Sequence, residues 1–95
     1  ALNQPDHVTY ARGMVAFSQQ DYRKAVAQLE RATEALPDFS PAFLGLGLAY
    51  ENGANLELAL AAIQRALELD PGDFAAQHAL GRIQSMTGNP EVKEQ

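Results

Sequence analysis

The chain has no cysteine in its 95 residues. That excludes disulfides, thiolate metal sites and a thiol nucleophile, and leaves cytoplasm and periplasm equally open as compartments. Bases are scarce: seven Lys and Arg stand against twelve Asp and Glu, a net charge of -5. Nucleic-acid binding needs a basic stripe to neutralise phosphates, so it is not expected, and anionic membrane surfaces are disfavoured for the same reason. Long apolar runs are missing too. The longest small or apolar run, Ala42 to Tyr50, has nine residues, whereas a membrane span needs about 20. There is no initiator Met and no signal peptide, so the chain reads as a processed or excised piece of something longer. Its two histidines, His7 and His78, form no His-x-x-x-His pair, and no metal or cofactor is expected. What is present is an ordinary globular balance, 46% hydrophobic and 20% charged, consistent with one domain over residues 1–95. A core this small needs regular packing or a buttress.

The sequence repeats itself. Gly13, Gly47 and Gly81 lie 34 apart, as do Pro37 and Pro71. Ala25 with Ala59, Ala27 with Ala61, Arg31 with Arg65, Ala32 with Ala66 and Glu34 with Glu68 keep the same offset. Residues 6–39 and 40–73 thus share seven identities in one register. Leu46 with Leu80, Asn55 with Asn89 and Glu57 with Glu91 carry the offset into a partial third unit, 74–95. A fixed period of this length marks a repeat architecture.

Each unit reads as two helices. Helices are expected over Asp6–Ser18, Asp21–Ala35, Ser40–Asn52, Asn55–Leu69 and Asp73–Thr87. Ser40 is expected as an N-cap with Pro41 behind it, and Asn55 and Asp73 as caps of their own helices. Breaks fall at Pro37-Asp38, Gly53-Ala54, Pro71-Gly72 and Gly88-Asn89-Pro90, the last reading as the start of a sixth helix. No alternating strand pattern appears. A glycine inside a helix costs about 1 kcal/mol relative to alanine, so Gly13, Gly47 and Gly81 are expected to serve close packing. Ala25, Ala32, Ala59 and Ala66 would supply small faces, with Leu29, Phe43, Tyr50 and Ile63 filling the space between helices.

A 34-residue helix-turn-helix with a bulky residue, Leu-Gly, Tyr, then Ala, an apolar residue, Ala and Pro resembles the tetratricopeptide repeat. The second unit carries the pattern in Phe43, Leu46, Gly47, Tyr50, Ala59, Ile63, Ala66 and Pro71. The first supplies Gly13, Ala25, Leu29, Ala32 and Pro37, but has Thr9, Arg12 and Ala16 where larger apolar residues are usual. The third supplies Leu80 and Gly81. The resemblance covers about two and a half repeats and implies an all-α fold, an α/α superhelical solenoid.

In that family the first helix of each pair lines a concave groove that holds partner segments. The resemblance places His7, Tyr10, Met14 and Phe17 there from the first repeat. The second would give Leu44, Gly45, Leu48, Glu51 and Asn52, and the third Ala75, His78, Arg82 and Ser85. Tyr10, Met14, Phe17, Leu44 and Leu48 would form an apolar stripe, with Glu51 and Arg82 at its margin. Members that clamp acidic C-terminal tails place Lys, Asn and Arg where this chain has Tyr10, Met14, Gly45, Ala75 and Ala79. An apolar or amphipathic segment is therefore the expected ligand.

Catalysis finds no support. Gly45-Leu-Gly47 lacks the third glycine, the preceding strand and the Lys-Ser/Thr of a nucleotide loop. Glu30, Glu34, Glu68 and Asp70 read as solvated helix faces and ends. The leading expectation is a non-enzymatic scaffold or adaptor for protein partners. Two alternatives stand beside it: homo-oligomerisation through an open C-terminal end presenting Leu80, Ile83 and Met86, or service as the regulatory arm of a larger enzyme.

Overall fold

A computed structural model describes residues 5–87. It holds five helices: α1 Pro5–Ser18, α2 Tyr22–Ala35, α3 Ser40–Asn52, α4 Leu56–Leu69 and α5 Phe74–Thr87. No strand occurs among the described residues. The helices pack as successive hairpins, α1 with α2 and α3 with α4; α2 then meets α3, and α4 meets α5. The result is an elongated α/α solenoid of 51 × 26 × 18 Å. The expected sixth helix, from Asn89, lies outside the described residues.

The turn inside each hairpin is built the same way twice. Asp21 N–H donates to Ala16 O and Asn55 N–H donates to Tyr50 O, both at 2.9 Å. Gln20 N–H donates to Phe17 O at 2.9 Å and Ala54 N–H to Glu51 O at 3.1 Å. This bonding satisfies the last carbonyls of the first helix and needs a left-handed residue at its centre. Gln20 (φ 64°) and Ala54 (φ 66°) take that conformation, although neither is glycine; Gly53, beside Ala54, has φ -87°. The next residue opens the second helix. The Asp21 carboxylate accepts from Lys24 N–H at 3.2 Å, and the Asn55 side chain accepts from Leu58 N–H at 3.3 Å. One residue thus ends one helix and caps the next, which is why the hairpin closes in so few residues.

The turns between hairpins differ in one respect. Asp73 caps α5 as expected, accepting from Ala75 N–H at 3.0 Å and Ala76 N–H at 3.3 Å. Ser40 is not an N-cap. Phe39 holds that place with no side-chain cap bond, and Ser40 is already helical. Phe39 is used for packing instead: its ring stands edge-on to His7 and Tyr10, at 5.0 and 5.1 Å between centroids.

The core lies between the helices of each hairpin and between hairpins. Ala25, Leu29, Ala32, Ala59, Ile63 and Ala66 are completely buried. A Cβ on Gly13 would stand 2.6 Å from Leu29 Cγ, and one on Gly47 would stand 2.5 Å from Ile63 Cδ1 and 3.3 Å from Ala59 O. The packing role expected of these two glycines is therefore real. Gly81 departs from it, because no described atom comes within 4 Å of the Cβ it lacks.

Two outcomes follow. Gly47→Leu should destabilise the fold by about 1–3 kcal/mol or more, since neither fully buried Ile63 nor the Ala59 carbonyl has room to retreat. An unchanged melting temperature would contradict the register. Ala54→Gly should stabilise by about 0.5–1 kcal/mol through relief of the left-handed strain, read as a rise of a few degrees in Tm.

Candidate partner-binding groove

First helices adjoin one another along one side of the solenoid: α1 touches α3 and α3 touches α5. Tyr10, Met14 and Phe17 on α1 and Leu44 and Leu48 on α3 are all half-buried there, resting on the core. Their spacing of three and four residues keeps each set on one helix face. Each of the three on α1 has an internal support. Tyr10 stands edge-on to Phe39. Met14 lies over Gly45, whose Cβ would come 2.7 Å from its Sδ. Phe17 stands edge-on to Tyr22, 5.7 Å between centroids. Gly45 thus reads as the seat for Met14, a role its position alone did not reveal.

The charged positions of this side resolve into one closed pair. Arg82 on α5 forks onto Glu51 on α3, with Nε donating to Oε2 at 2.5 Å and Nη2 donating to Oε1 at 2.8 Å. The Glu51 side chain is only 9% exposed and that of Arg82 is 41% exposed. The hydrogen bond to Glu51 raises the pKa of Arg82 above its already high ordinary value, so the guanidinium stays charged. Bidentate geometry of this kind fixes the angle between two helices as well as their charge. Asn52 is exposed, its Nδ2 donating to Leu48 O at 2.8 Å, and His78 is exposed on α5.

The three residues expected at an open C-terminal end do not share one environment. Met86 is 49% exposed, Leu80 is partly buried against the core and Ile83 is completely buried. Ile83 is therefore removed from any exposed face. It occupies the position of Ala49 one unit earlier, which points back into the core rather than out of the end.

A second polar link, between α2 and α3, is not visible from sequence spacing. Tyr50, 9% exposed, donates its hydroxyl to a Glu30 carboxylate oxygen. Burial first, then the hydrogen bond and the charge of Glu30, push the Tyr50 pKa up to about 12. On the opposite side, Arg65 pairs with Glu68 at 3.0 Å and stands 5.8 Å from the centre of the Phe43 ring. Among the described residues no group of three or more His, Asp or Glu side chains is placed to hold a metal ion.

The family pattern described as Tetratricopeptide repeat matches residues 10–74. The chain belongs to the tetratricopeptide-repeat family. It is 29% identical over 80 residues to Superkiller protein 3 of Schizosaccharomyces pombe, an alignment covering 84% of this chain and 6% of that protein. Among solved structures it resembles MamA from Desulfovibrio magneticus RS-1, with TM-score 0.84, 30% identity, and coverage of 88% of this chain and 48% of that one. A MamA RS-1 double mutant gives TM-score 0.85 at 31% identity, covering 90% and 49%. The chain thus spans about half the length of these MamA chains and a small part of its curated relative. Tetratricopeptide repeats in this architecture support a protein-interaction module. No described helix is long and apolar enough to cross a membrane.

The polar links of this repeat array make two measurable statements. Arg82→Ala should destabilise the fold by about 1–3 kcal/mol, because it leaves the little-exposed Glu51 carboxylate without its fork; thermal unfolding checks this. Tyr50 has a folded-state pKa above its unfolded value, so its contribution is complete below about pH 10. It is lost as pH rises from there through about 12. Tm should fall across that window, and Tyr50→Phe should flatten the part of the fall that Tyr50 causes. In a spectrophotometric titration, one of the three tyrosines should ionise late.

Proposed function

We propose that this chain is a scaffold or adaptor that holds an apolar or amphipathic segment of a protein partner. The segment lies along the first-helix side, against Tyr10, Met14, Phe17, Leu44 and Leu48. Asn52 and His78 provide polar contacts at the rim, and the Glu51–Arg82 fork forms a closed floor. The observation that carries the reading is the coexistence of five half-buried apolar side chains with charges that already satisfy each other. Such a surface offers area and adaptable packing, with Met14 as its most deformable element, and no free cation to anchor an acidic tail.

The test is selection of peptides from a displayed library against the intact chain. Selected peptides should be apolar or amphipathic, and their affinity should change little between 50 and about 500 mM salt. Leu48→Glu should weaken binding tenfold or more, since one buried side chain is worth about 1.5–3 kcal/mol, while Arg31→Ala on α2 should not. Enrichment of acidic C-terminal tails, or equal losses in both variants, would overturn the reading.

Self-association through the C-terminal end is a second reading, favoured by exposed Met86 and by Gly81, beside whose missing Cβ no described atom lies within 4 Å. With Ile83 in the core, only Met86 and part of Leu80 remain to carry it. Met86→Glu should then abolish a concentration-dependent dimer in sedimentation velocity while leaving helicity intact.

A further inference from the structure

Glycine lowers helix propensity wherever it interrupts a helix, so a helical glycine calls for a compensating use. At Gly13 and Gly47 the missing Cβ would meet Leu29 and Ile63, side chains that are completely buried. Gly45, in the interior of α3, differs in kind. Its missing Cβ would lie 2.7 Å from Met14 Sδ and then 3.5 and 3.6 Å from Leu29 Cδ1 and Cδ2, the last two being ordinary contacts. The obstacle is therefore the far end of one flexible, half-buried side chain, which is free to turn outward. Packing of the core does not by itself require glycine here. One unit later the matching residue is Ala79, 1% exposed, so a Cβ is accommodated there. The residue matching Met14 is Leu48, branched and one atom shorter. A long unbranched side chain thus goes with the gap, and a short branched one with the methyl.

The gap also decides where the Met14 side chain ends. Gly45 is buried, so the thioether beside it is drawn inward between α1 and α3, toward Leu29. Tyr10 and Phe17 lie one turn to either side of Met14 on α1, and Leu48 lies one turn beyond Gly45 on α3, all half-buried.

We propose, resting on the groove reading above, that Gly45 is the specificity-determining residue of that groove. By taking in the Met14 thioether it leaves room for one large apolar side chain of the partner segment. That side chain packs over Met14, with Tyr10 and Phe17 on one side and Leu48 on the other. An aromatic ring is the preferred occupant, because a polarizable thioether makes favourable contacts with ring edges. A Cβ at position 45 turns the thioether outward into that room, and only a small side chain of the partner then fits.

Gly45→Ala tests this first without a ligand. The chain has two methionines, so its methionine methyl NMR spectrum holds two signals, and Met86, 49% exposed, serves as the internal standard. In the wild type a soluble paramagnetic agent should broaden the Met14 methyl much less than that of Met86. In Gly45→Ala the two should broaden nearly alike, while Tm holds or rises. One displayed peptide library is then selected against both proteins. Peptides selected by the wild type should share one large apolar residue and bind Gly45→Ala about tenfold more weakly. Those selected by Gly45→Ala should carry Ala, Ser or Val at that point, and Leu48→Glu should weaken both sets. A Met14 methyl that stays protected in Gly45→Ala, or a lower Tm, would show that the thioether has nowhere to turn and would overturn the proposal. Equal affinity of the wild-type peptides for both proteins would overturn it too. If those peptides still lose affinity on Leu48→Glu, the groove reading stands and the assignment of Gly45 alone falls. Failure to select any peptide sensitive to Leu48→Glu would overturn both.

Discussion

The constraint on which the rest depends is the absence of a side chain at Gly13 and Gly47. Each lets the partner helix of its hairpin approach until Leu29 or Ile63 occupies the space a Cβ would need. Ala25, Ala32, Ala59 and Ala66, all completely buried, keep the second helix equally slim. Close approach inside the hairpin moves the bulk elsewhere. Tyr50 and Leu46 fill space beside it, and Phe43 lies beneath the Arg65 guanidinium. The glycines lower intrinsic helix propensity by about 1 kcal/mol each, and the packing they permit offsets that loss. A hairpin so thin buries little alone, so it must be closed by the next one.

Thin hairpins also need short turns. The bonds from Asp21 to Ala16 and from Asn55 to Tyr50 recur one unit apart, and so do the left-handed conformations of Gln20 and Ala54. Strain at those two residues is tolerated because the residue after each is committed twice, once to the preceding carbonyl and once as a cap. Where the units differ, the difference is informative. Phe39 gives up the cap that Asp73 makes and gains two edge-on ring contacts instead. Ala16 gives way to Tyr50, which reaches back to Glu30. The repeat fixes backbone geometry, and the substitutions within it decide how one hairpin is tied to the next.

These two layers were not equally legible in the sequence. Helix positions, the 34-residue period and the small faces at Ala25 and Ala59 are local or periodic properties, and a single chain displays them directly. The left-handed turn was harder to see, because Gly53 draws attention while its neighbour Ala54 takes the strain. Ser40 looked like a cap because serine usually is one, and only the position of Phe39 among His7 and Tyr10 shows why it is not. Ile83 looked like part of an exposed end because helical periodicity alone does not tell which neighbour covers a face. The pairs Glu30–Tyr50 and Glu51–Arg82 join residues 20 and 31 apart, distances at which spacing carries no contact information. The half-burial of Tyr10, Met14, Phe17, Leu44 and Leu48 on the first helices follows from helical spacing, whereas the closure of Arg82 on Glu51 does not.

That neutralisation decides what the first-helix side can offer. There the Glu51 carboxylate and Arg82 guanidinium are consumed by each other, so a partner in the proposed groove would meet shape and apolar area. Selectivity there must come from packing, which distinguishes side chains by volume rather than by sign.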